Sequence, residues 1–310
     1  MNTGVDLRPL RSVLWDRTPD GSPRGKVTLR CLDELWIHTG THCNLACPSC
    51  LEGARPGDRR LERITFPMVR PFIDEAVRLG TRKISLTGGE PFAVRDTIRI
   101  LDYALNFSPC LVLTNGTDPL IRRMEEIRPL RTRPQPLFFR VSLDSADPRR
   151  HDAIRGQGMF EKALEGIRLL RSAGFSVSVA TRMGEEEQFP DLFRRLDLPS
   201  DLVRVSFPDL HPPGSRVGTP EISEHCMEAY QTEKTRAEFM CARSRMVVRT
   251  GGRLRVYACT LVDDDPDYDL GGTLSESLSE PVALKHHRCY ACFSRGTSCS
   301  ERSKETERVP

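Results

Sequence analysis

The chain has 310 residues, of which 46 are Lys or Arg and 43 are Asp or Glu, and its formal net charge is +3. A charge this close to balance points to no nucleic-acid partner, and the length is sufficient for one large domain with a smaller one beside it. The sequence contains neither an apolar run long enough to cross a bilayer nor an apolar signal core near its start, so we predict a cytoplasmic protein without a membrane partner.

The first feature in chain order is a cysteine-rich loop. Residues 1–30 are rich in Pro, Gly and Arg and are treated as an N-terminal lead, and an apolar strand predicted at 35–38 leads into Cys43, Cys47 and Cys50. A [4Fe–4S] cluster normally takes four Cys ligands, so three thiolates would leave one iron open to a ligand that is not protein. Structural zinc is the alternative, although it prefers four ligands in two pairs.

Beyond this loop the chain alternates between strands and helices. Helical periodicity predicts helices that begin or lie at 65–79, 96–105, 119–127, 160–173 and 189–196. Short apolar runs predict strands at 83–86, 110–113, 137–143, 175–180 and 203–207. Six strands interleaved with helices indicate parallel units with right-handed crossovers. We therefore predict an α/β fold whose residues 31–210 form a partial (β/α)6 parallel barrel.

Polar and Gly-rich segments follow several of the predicted strands. Reactive groups in parallel barrels lie on loops at these C-terminal strand ends. A Gly pair such as Gly88-Gly89 lets backbone approach a ligand closely, and the carboxylate of Glu90 can accept hydrogen bonds from an amino group. Taken alone, Gly-Gly and the Asn-Gly step at Asn115 are also common in ordinary turns.

The cysteine spacing and the Gly pair together carry a family resemblance. Cys43-xxx-Cys47-xx-Cys50 followed by Gly88-Gly89-Glu90-Pro91 resembles the signature of the radical S-adenosylmethionine (SAM) superfamily. The resemblance implies that SAM chelates the fourth iron of a [4Fe–4S] cluster and that the GGEP segment binds the methionine amino group. It further implies reductive cleavage of SAM to a 5′-deoxyadenosyl radical, which removes hydrogen from an unactivated carbon. A reductant such as flavodoxin or ferredoxin would supply the electron.

The same resemblance implies further SAM contacts. Ser142 and Asp144 resemble residues that contact the ribose and carboxylate region of SAM. Arg155 resembles an Arg that pairs with the SAM carboxylate, its alternative being a surface Arg in a turn, and Arg182 is a second candidate for that role. Ser49 stands where the family usually has an aromatic residue, so only its backbone would contact the adenine. The candidate SAM-binding residues are Ser49, Gly88, Gly89, Glu90, Pro91, Asn115, Ser142, Asp144, Arg155 and Arg182.

A second group of cysteines follows a Pro- and Gly-rich linker at 211–220, which suggests a domain boundary. Strand-like runs at 246–248 and 254–257 predict a β-hairpin with Cys241 and Cys259 just outside its arms. Cys289 and Cys292 would close a four-thiol site. Spacing alone does not separate zinc from a fully ligated [4Fe–4S] cluster here.

A radical SAM core followed by this cysteine pattern resembles the auxiliary-cluster extensions called SPASM or twitch domains. Too few cysteines remain for the two-cluster SPASM form, so the one-cluster twitch form fits better. The resemblance implies a small Cys-rich β-hairpin domain over 211–300, ahead of a charged tail at 301–310, with a second [4Fe–4S] cluster. Its ligands would be Cys241, Cys259, Cys289 and Cys292, with Cys299 in reserve. Four Cys ligands saturate a cluster, which favours electron transfer in a net oxidation.

The remaining cysteines and polar runs have plainer interpretations. Cys31, Cys110 and Cys226 are predicted to be small buried hydrophobic residues. The run 263–265 of three Asp is predicted to be a solvated loop with a substrate-binding role left open, and the two His at 286–287 to be ordinary loop residues.

Two substrate classes and one alternative function stay open. The substrate is a peptide or a small metabolite. Thr260 follows Cys259 where sulfatase maturases carry an Asp base, which argues against that activity. The alternative is a non-catalytic iron–sulfur or zinc protein, either an electron carrier or a scaffold. Such a protein would not require the glycine and carboxylate set at the strand ends.

Overall fold

The computed structural model describes residues 11–185, 188–195, 204–207, 210–215 and 217–295. Its described strands form one sheet of eight strands and one of two. In chain order they are β1 (Lys26–Val27), β2 (Glu34–His38), β3 (Lys83–Thr87), β4 (Cys110–Thr114), β5 (Leu137–Ser142), β6 (Ser176–Arg182), β7 (Arg204–Phe207), β8 (Ser244–Thr250), β9 (Arg253–Tyr257) and β10 (Val282–Ala283).

The large sheet has the strand order β7-β6-β5-β4-β3-β2-β8-β9. Every neighbouring pair from β7 to β8 is parallel, and β8 and β9 form the predicted antiparallel hairpin. The six strands β2 to β7 lie within two residues of their predicted bounds, which confirms the partial parallel barrel. The hairpin also extends that sheet, because β8 pairs with β2 and places Met246 opposite Trp36.

Helices connect the parallel strands as the apolar periodicity predicts. They are α1 (Phe66–Arg78), α2 (Thr97–Ala104), α3 (Asp118–Arg122), α4 (Met124–Ile127), α5 (Pro148–Arg155), α6 (Met159–Ser172) and α7 (Phe189–Arg195). The single helix predicted over 119–127 is divided at Arg123, whose φ of −103° and ψ of 10° are not helical. Helix α5 was not predicted, although Asp147 caps it by accepting the Arg149 and Arg150 N–H groups and Pro148 occupies its first turn.

Successive residues of β2 divide the core into two clusters. Leu35 and Ile37 pack with Val69 and Ile73 of α1 in the cluster between sheet and helices. Trp36 points to the opposite face and belongs to a second cluster with residues of the C-terminal region. This division follows from the two-residue period of a strand. It makes the inner face of the sheet the place where the C-terminal region packs.

The described part of the N-terminal lead packs on that C-terminal region. Strand β1 pairs with β10, and the ring of Trp15 meets that of Tyr268 edge-on at a centroid distance of 5.1 Å. The hydroxyl of Ser12 donates to a carboxylate oxygen of Asp267 at 2.6 Å. The remaining helices are α8 (Glu224–Tyr230), α9 (Glu233–Arg236), α10 (Leu274–Ser277) and α11 (Cys289–Arg295). No helix in the described residues has the length and apolar character needed to cross a membrane.

Candidate active site

A cavity of about 210 Å³ opens where the parallel strands end. Thr87, Thr114, Ser142 and Arg182, the last residues of β3 to β6, contribute to its wall. This is the edge at which a parallel barrel presents reactive groups. The candidate residues that line it are Cys43, Cys47, Ser49, Cys50, Gly88, Gly89, Asn115, Ser142, Asp144, Arg155 and Arg182. Folding therefore brings together side chains that are up to 139 positions apart in the sequence.

The three thiols of the cysteine loop face this cavity in a buried environment. Burial raises the pKa of Cys43 to about 12 and also raises the pKa values of Cys47 and Cys50. The Cys43 Sγ accepts the Leu45 N–H at 3.4 Å and the Asn115 side-chain amide at 3.8 Å. Buried thiols of this kind lose their protons when a metal takes the protons' place. The donor set therefore fits a bound metal centre.

One other group of potential metal ligands lies among the residues that the structure describes. It is the set of His38, Glu52 and Asp263, whose ligand atoms are all within 4.8 Å of one another. The three thiols of the cysteine loop do not form so tight a set.

The Gly pair packs directly against the cysteine loop. A Cβ atom added at Gly89 would lie 2.2 Å from the carbonyl oxygen of His42, and one added at Gly88 would lie 2.6 Å from the Thr39 hydroxyl oxygen. Gly88 also has a φ of +138°, which side chains rarely adopt. The sequence predicts that these two positions are glycine so that the backbone can approach a ligand. The structure gives a second reason, because Gly89 packs against the backbone of His42, the residue before Cys43.

Glu90 and Pro91 lie behind the cavity wall and not in it. The Glu90 carboxylate is buried and accepts hydrogen bonds from the Thr114 hydroxyl at 2.9 Å, the Asn115 N–H at 2.8 Å and the Phe92 N–H at 3.0 Å. Burial raises the pKa of Glu90 to about 7, although these hydrogen bonds oppose the rise. In this arrangement the carboxylate connects the ends of β3 and β4 and fixes the backbone of Asn115.

An ion pair forms the wall opposite the cysteine loop. The Arg155 guanidinium donates from Nε to one Asp144 oxygen at 2.5 Å and from Nη2 to the other at 3.2 Å. Burial opposes ionisation of Asp144, but Arg155 lowers the pKa of this carboxyl below its usual range. The Arg182 N–H donates to the Asp144 carbonyl at 3.2 Å. Arg155 is the last residue of α5, and its side chain lines the cavity. The alternative interpretation of Arg155 as a surface residue in a turn is therefore wrong.

His151 contacts the backbone of Asp144 in this wall, and its lowered pKa predicts how the stability of the protein depends on pH. Its Nδ1 accepts the Asp144 N–H at 3.2 Å, and burial, with the charge of Arg155, lowers the pKa of His151 to about 4. Between pH 6.5 and 4 the unfolded chain binds a proton that the folded protein excludes, so this residue removes stability as the pH falls. We expect the stability advantage of wild type over His151→Asn to fall by about 2 kcal/mol between pH 7 and pH 5.

Urea unfolding of both proteins at the two pH values measures this difference. Glu90 titrates with the opposite sign, because its raised pKa makes the folded protein bind the proton first. Glu90 is present in both proteins, and its contribution cancels in the comparison. Equal pH slopes for wild type and variant would show that His151 is protonated without cost.

Several cavity residues were not found from the sequence. They are Trp36, Glu52, Arg140, Thr181, Thr260 and Leu261. A signal existed for Arg140, because it lies two residues before Ser142 on β5 and shares its face. No comparable signal existed for Glu52, which lies in the cysteine loop, since loops have no period.

A buried polar network behind the cysteine loop corrects one expectation. His38 Nε2 lies 2.9 Å from a Glu52 oxygen, and the Arg60 guanidinium lies 2.8 Å from an Asp263 oxygen. The Asp263 side chain is fully buried, and Asp264 pairs with His286 at 3.1 Å. The prediction of a solvated loop at 263–265 is therefore wrong for Asp263, because the arginine of the cysteine loop draws its carboxylate inward.

The second group of cysteines also forms one cluster of thiols. Cys241 lies in a short 3-10 helix, Cys259 follows β9 by two residues, and Cys289 and Cys292 lie on α11. Burial raises the pKa of Cys241 to about 12 and that of Cys289 to about 11. Burial raises the pKa of Cys259 as well, and the charges of the other three thiols raise it further, so the four are neighbours. Of these four described thiols, no three come within 4.8 Å of one another.

One buried side chain connects the two cysteine sites. Arg288, beside Cys289, donates to the carbonyl oxygens of Leu51 at 2.9 Å, His211 at 2.6 Å and Leu261 at 3.3 Å. Leu51 is the residue after Cys50. The loop of the first site, the linker and the segment after Cys259 are therefore held by a single guanidinium.

The other described cysteines do not line the cavity. Cys110 is buried as predicted, and Cys226 on α8 is half-buried. Cys31 is exposed, so its prediction as a buried residue is wrong. Cys299 and the tail at 301–310 lie outside the described residues.

Comparison with known proteins identifies relatives of the chain. The family model described as the radical SAM superfamily matches residues 37–192. The AdoMet-dependent heme synthase of Methanosarcina barkeri is 30% identical over 53% of this chain and 46% of its own length. The subtilosin biosynthesis protein AlbA of Bacillus subtilis is 32% identical over 56% and 37%. The mycofactocin maturase MftC of Mycobacterium tuberculosis is 27% identical over 76% and 66%. The chain thus spans two thirds or less of each relative.

Solved structures show the same fold at low identity. SuiB of Streptococcus suis superposes with a TM-score of 0.57 and 13% identity over 82% of this chain and 67% of that one. The anSMEcpe structure with bound AdoMet gives a TM-score of 0.54 and 14% identity over 79% of both chains. At these identities the likeness concerns the fold.

Proposed function

The chain belongs to the radical SAM superfamily, and on this basis we propose that it cleaves SAM at a cluster held by Cys43, Cys47 and Cys50. Membership implies an enzyme that uses a [4Fe–4S] cluster and SAM. The proposed reaction is a net oxidation of a peptide or a small metabolite. An auxiliary [4Fe–4S] cluster on Cys241, Cys259, Cys289 and Cys292 would take the electron that the substrate loses.

The observation that carries this proposal is one cavity lined by three thiols, the Gly pair and the Asp144–Arg155 ion pair. Together the bound cluster and SAM supply an electron and a 5′-deoxyadenosyl radical that takes a hydrogen atom from the substrate. A carrier or scaffold with structural cysteines needs no such cavity beside its thiols. The cavity therefore favours the enzyme over the non-catalytic alternative.

The protein's own residues bind, orient and shield in this proposal. The Leu45 N–H and the Asn115 amide donate to the Cys43 sulfur and would stabilise its thiolate. Arg155 presents positive charge to Cys47 and Cys50 and would pair with the carboxylate of bound SAM. The apolar side chains of Leu45, Ala54 and Leu113 exclude water from the same wall.

The second thiol group is proposed to hold a cluster and not zinc, because its cysteine pattern resembles the auxiliary-cluster extensions of radical SAM enzymes. With four Cys ligands the cluster would have no iron open to the substrate. Its proposed role is therefore electron transfer and not substrate binding.

The substrate class is supported by the relatives only in part. SuiB has been solved bound to the precursor peptide SuiA, and anSMEcpe has been solved with a bound peptide. A peptide is therefore the first substrate class to test here. A small metabolite is the second class. A flavodoxin or ferredoxin is the proposed source of the electron.

The experiment that tests the function is made on anaerobically reconstituted protein. Iron and sulfide are counted, dithionite and SAM are added, and 5′-deoxyadenosine is measured by chromatography. We expect about eight irons per chain, from two cubes of four, and formation of 5′-deoxyadenosine. About four irons with turnover would remove the auxiliary cluster from the proposal. Zinc at both sites without turnover would contradict the enzyme.

A further inference from the structure

Arg245 on β8 is a fully buried cation beside the second thiol group. Its side chain is inaccessible to solvent, and all of its described donors end on backbone carbonyls. Nη1 donates to Cys241 at 2.8 Å and to Ser244 at 2.9 Å, while Nε and Nη2 donate to Ser277 at 3.2 and 3.1 Å. These bonds satisfy the N–H groups but do not neutralise the charge.

No carboxylate in the described residues pairs with Arg245. Two other buried arginines, Arg24 and Arg155, each pair with a carboxylate. Arg288, also buried, is like Arg245 in donating to backbone carbonyls. The ionisable groups that influence the pKa of Arg245 are the thiols of Cys241 and Cys259. Burial lowers the pKa of Arg245 to about 10, which still leaves the guanidinium protonated at neutral pH. An isolated buried charge is costly, so a counter-charge is expected close to it.

The second thiol group can supply this counter-charge, because the Arg245 guanidinium is bonded to the backbone of Cys241. Once the four thiols are deprotonated around a cluster, they and the cluster together carry net negative charge. Arg245 is the buried cation whose hydrogen bond ends on the backbone of a proposed ligand, Cys241.

We infer that Arg245 raises the reduction potential of the auxiliary cluster and so makes that cluster an electron acceptor; this inference rests on the proposed function. Reduction adds one electron and one negative charge to the cluster. A fixed positive charge in a low-dielectric interior stabilises the more negative state. The electron comes from the substrate radical, which has given its hydrogen atom to the 5′-deoxyadenosyl radical and releases a proton as the electron leaves.

The test is a redox titration of the auxiliary cluster followed by electron paramagnetic resonance. The titration uses the whole chain with the substitutions Cys43→Ala, Cys47→Ala and Cys50→Ala. In this background the second group of cysteines would hold the one remaining cluster. Arg245→Gln removes the charge but keeps a hydrogen-bond donor, and Arg245→Lys keeps the charge. Arg253→Gln in the same hairpin is the matched control, because Arg253 is exposed.

We expect Arg245→Gln to lower the reduced-to-oxidised ratio at a fixed potential by about tenfold or more, which is 59 mV for a one-electron couple. Arg245→Lys and Arg253→Gln should stay within about threefold of the parent. Should Arg245→Gln fail to fold, Arg245→Met serves as the second variant, because an apolar side chain of similar size removes the charge without leaving a buried polar group unpaired. It should lower the ratio in the same direction.

Each outcome decides the inference. A parental potential in Arg245→Gln, or equal shifts in the Gln and Lys variants, would overturn the role of Arg245 while the cluster itself stands. Zinc with no iron in the triple-alanine background would overturn the auxiliary cluster and the inference together, and metal analysis distinguishes that result from an unchanged potential.

Discussion

Replacing Cys43 with Ala is expected to reduce 5′-deoxyadenosine formation by about a thousandfold or more, because two remaining thiols cannot hold a three-ligand cluster. Cys43 is the most buried of the three thiols and accepts hydrogen bonds from Leu45 and Asn115. The measurement is chromatography of 5′-deoxyadenosine after addition of dithionite and SAM. Iron should fall by about four per chain, with the other cluster left in place.

Two cysteines outside the sites provide controls for this variant. Cys31→Ala changes an exposed thiol and Cys110→Ala a fully buried one, and neither thiol faces the cavity. Both controls should keep their iron and their 5′-deoxyadenosine formation. A Cys43→Ala protein that still cleaves SAM at the parental rate would contradict the proposed cluster ligands. Loss of cleavage in Cys110→Ala at unchanged stability would show that the assay does not report on the cavity.

Gly89→Ala is expected to destabilise the protein by about 3 kcal/mol and to abolish cluster loading. The added Cβ would lie 2.2 Å from the His42 carbonyl oxygen and 2.5 Å from its carbonyl carbon, and these are backbone atoms that cannot rotate away. The cysteine loop would have to move, and with it the sulfur of Cys43. Urea unfolding gives the change in stability, and the iron content after reconstitution gives the change at the site.

Gly218→Ala is the matched control for this substitution. A Cβ atom added at Gly218 would meet no described atom within 4 Å, and the φ of Gly218 lies outside the left-handed range, so the same methyl group should cost less than about 1 kcal/mol. Parental stability and iron content in Gly89→Ala would mean that the loop after β3 and the cysteine loop separate without loss. The close packing of the two loops would then not matter for the site.

The two cysteine sites are connected through buried polar groups. Arg288 joins Leu51 to the segment after Cys259, and the Arg60–Asp263 ion pair spans the same two segments. Arg288 is buried, so its contacts are weakened little by salt, whereas the Arg60 side chain is 31% exposed. This arrangement fixes the position of one cysteine site relative to the other.

The sequence alone was sufficient for the regular part of the fold. The periods of 3.6 and 2 residues located the strands of the barrel and the helices 66–78, 97–104, 159–172 and 189–195, because a buried helix face or strand leaves its spacing in the apolar residues. The cysteine spacing located the first site for a similar reason, since three ligands within eight residues are a local pattern. The candidate residues at strand ends then came together because parallel strands end at one edge.

Contacts between distant segments were decided by the tertiary structure. The pairing of β8 with β2, the packing of Trp15 on Tyr268 and the burial of Asp263 each join segments more than 190 residues apart. No local period records such contacts, because each depends on which surfaces meet after folding. Arg245 illustrates the limit most clearly. In the sequence it is one arginine among many, and only its position inside the fold makes its charge an influence on the thiols beside it.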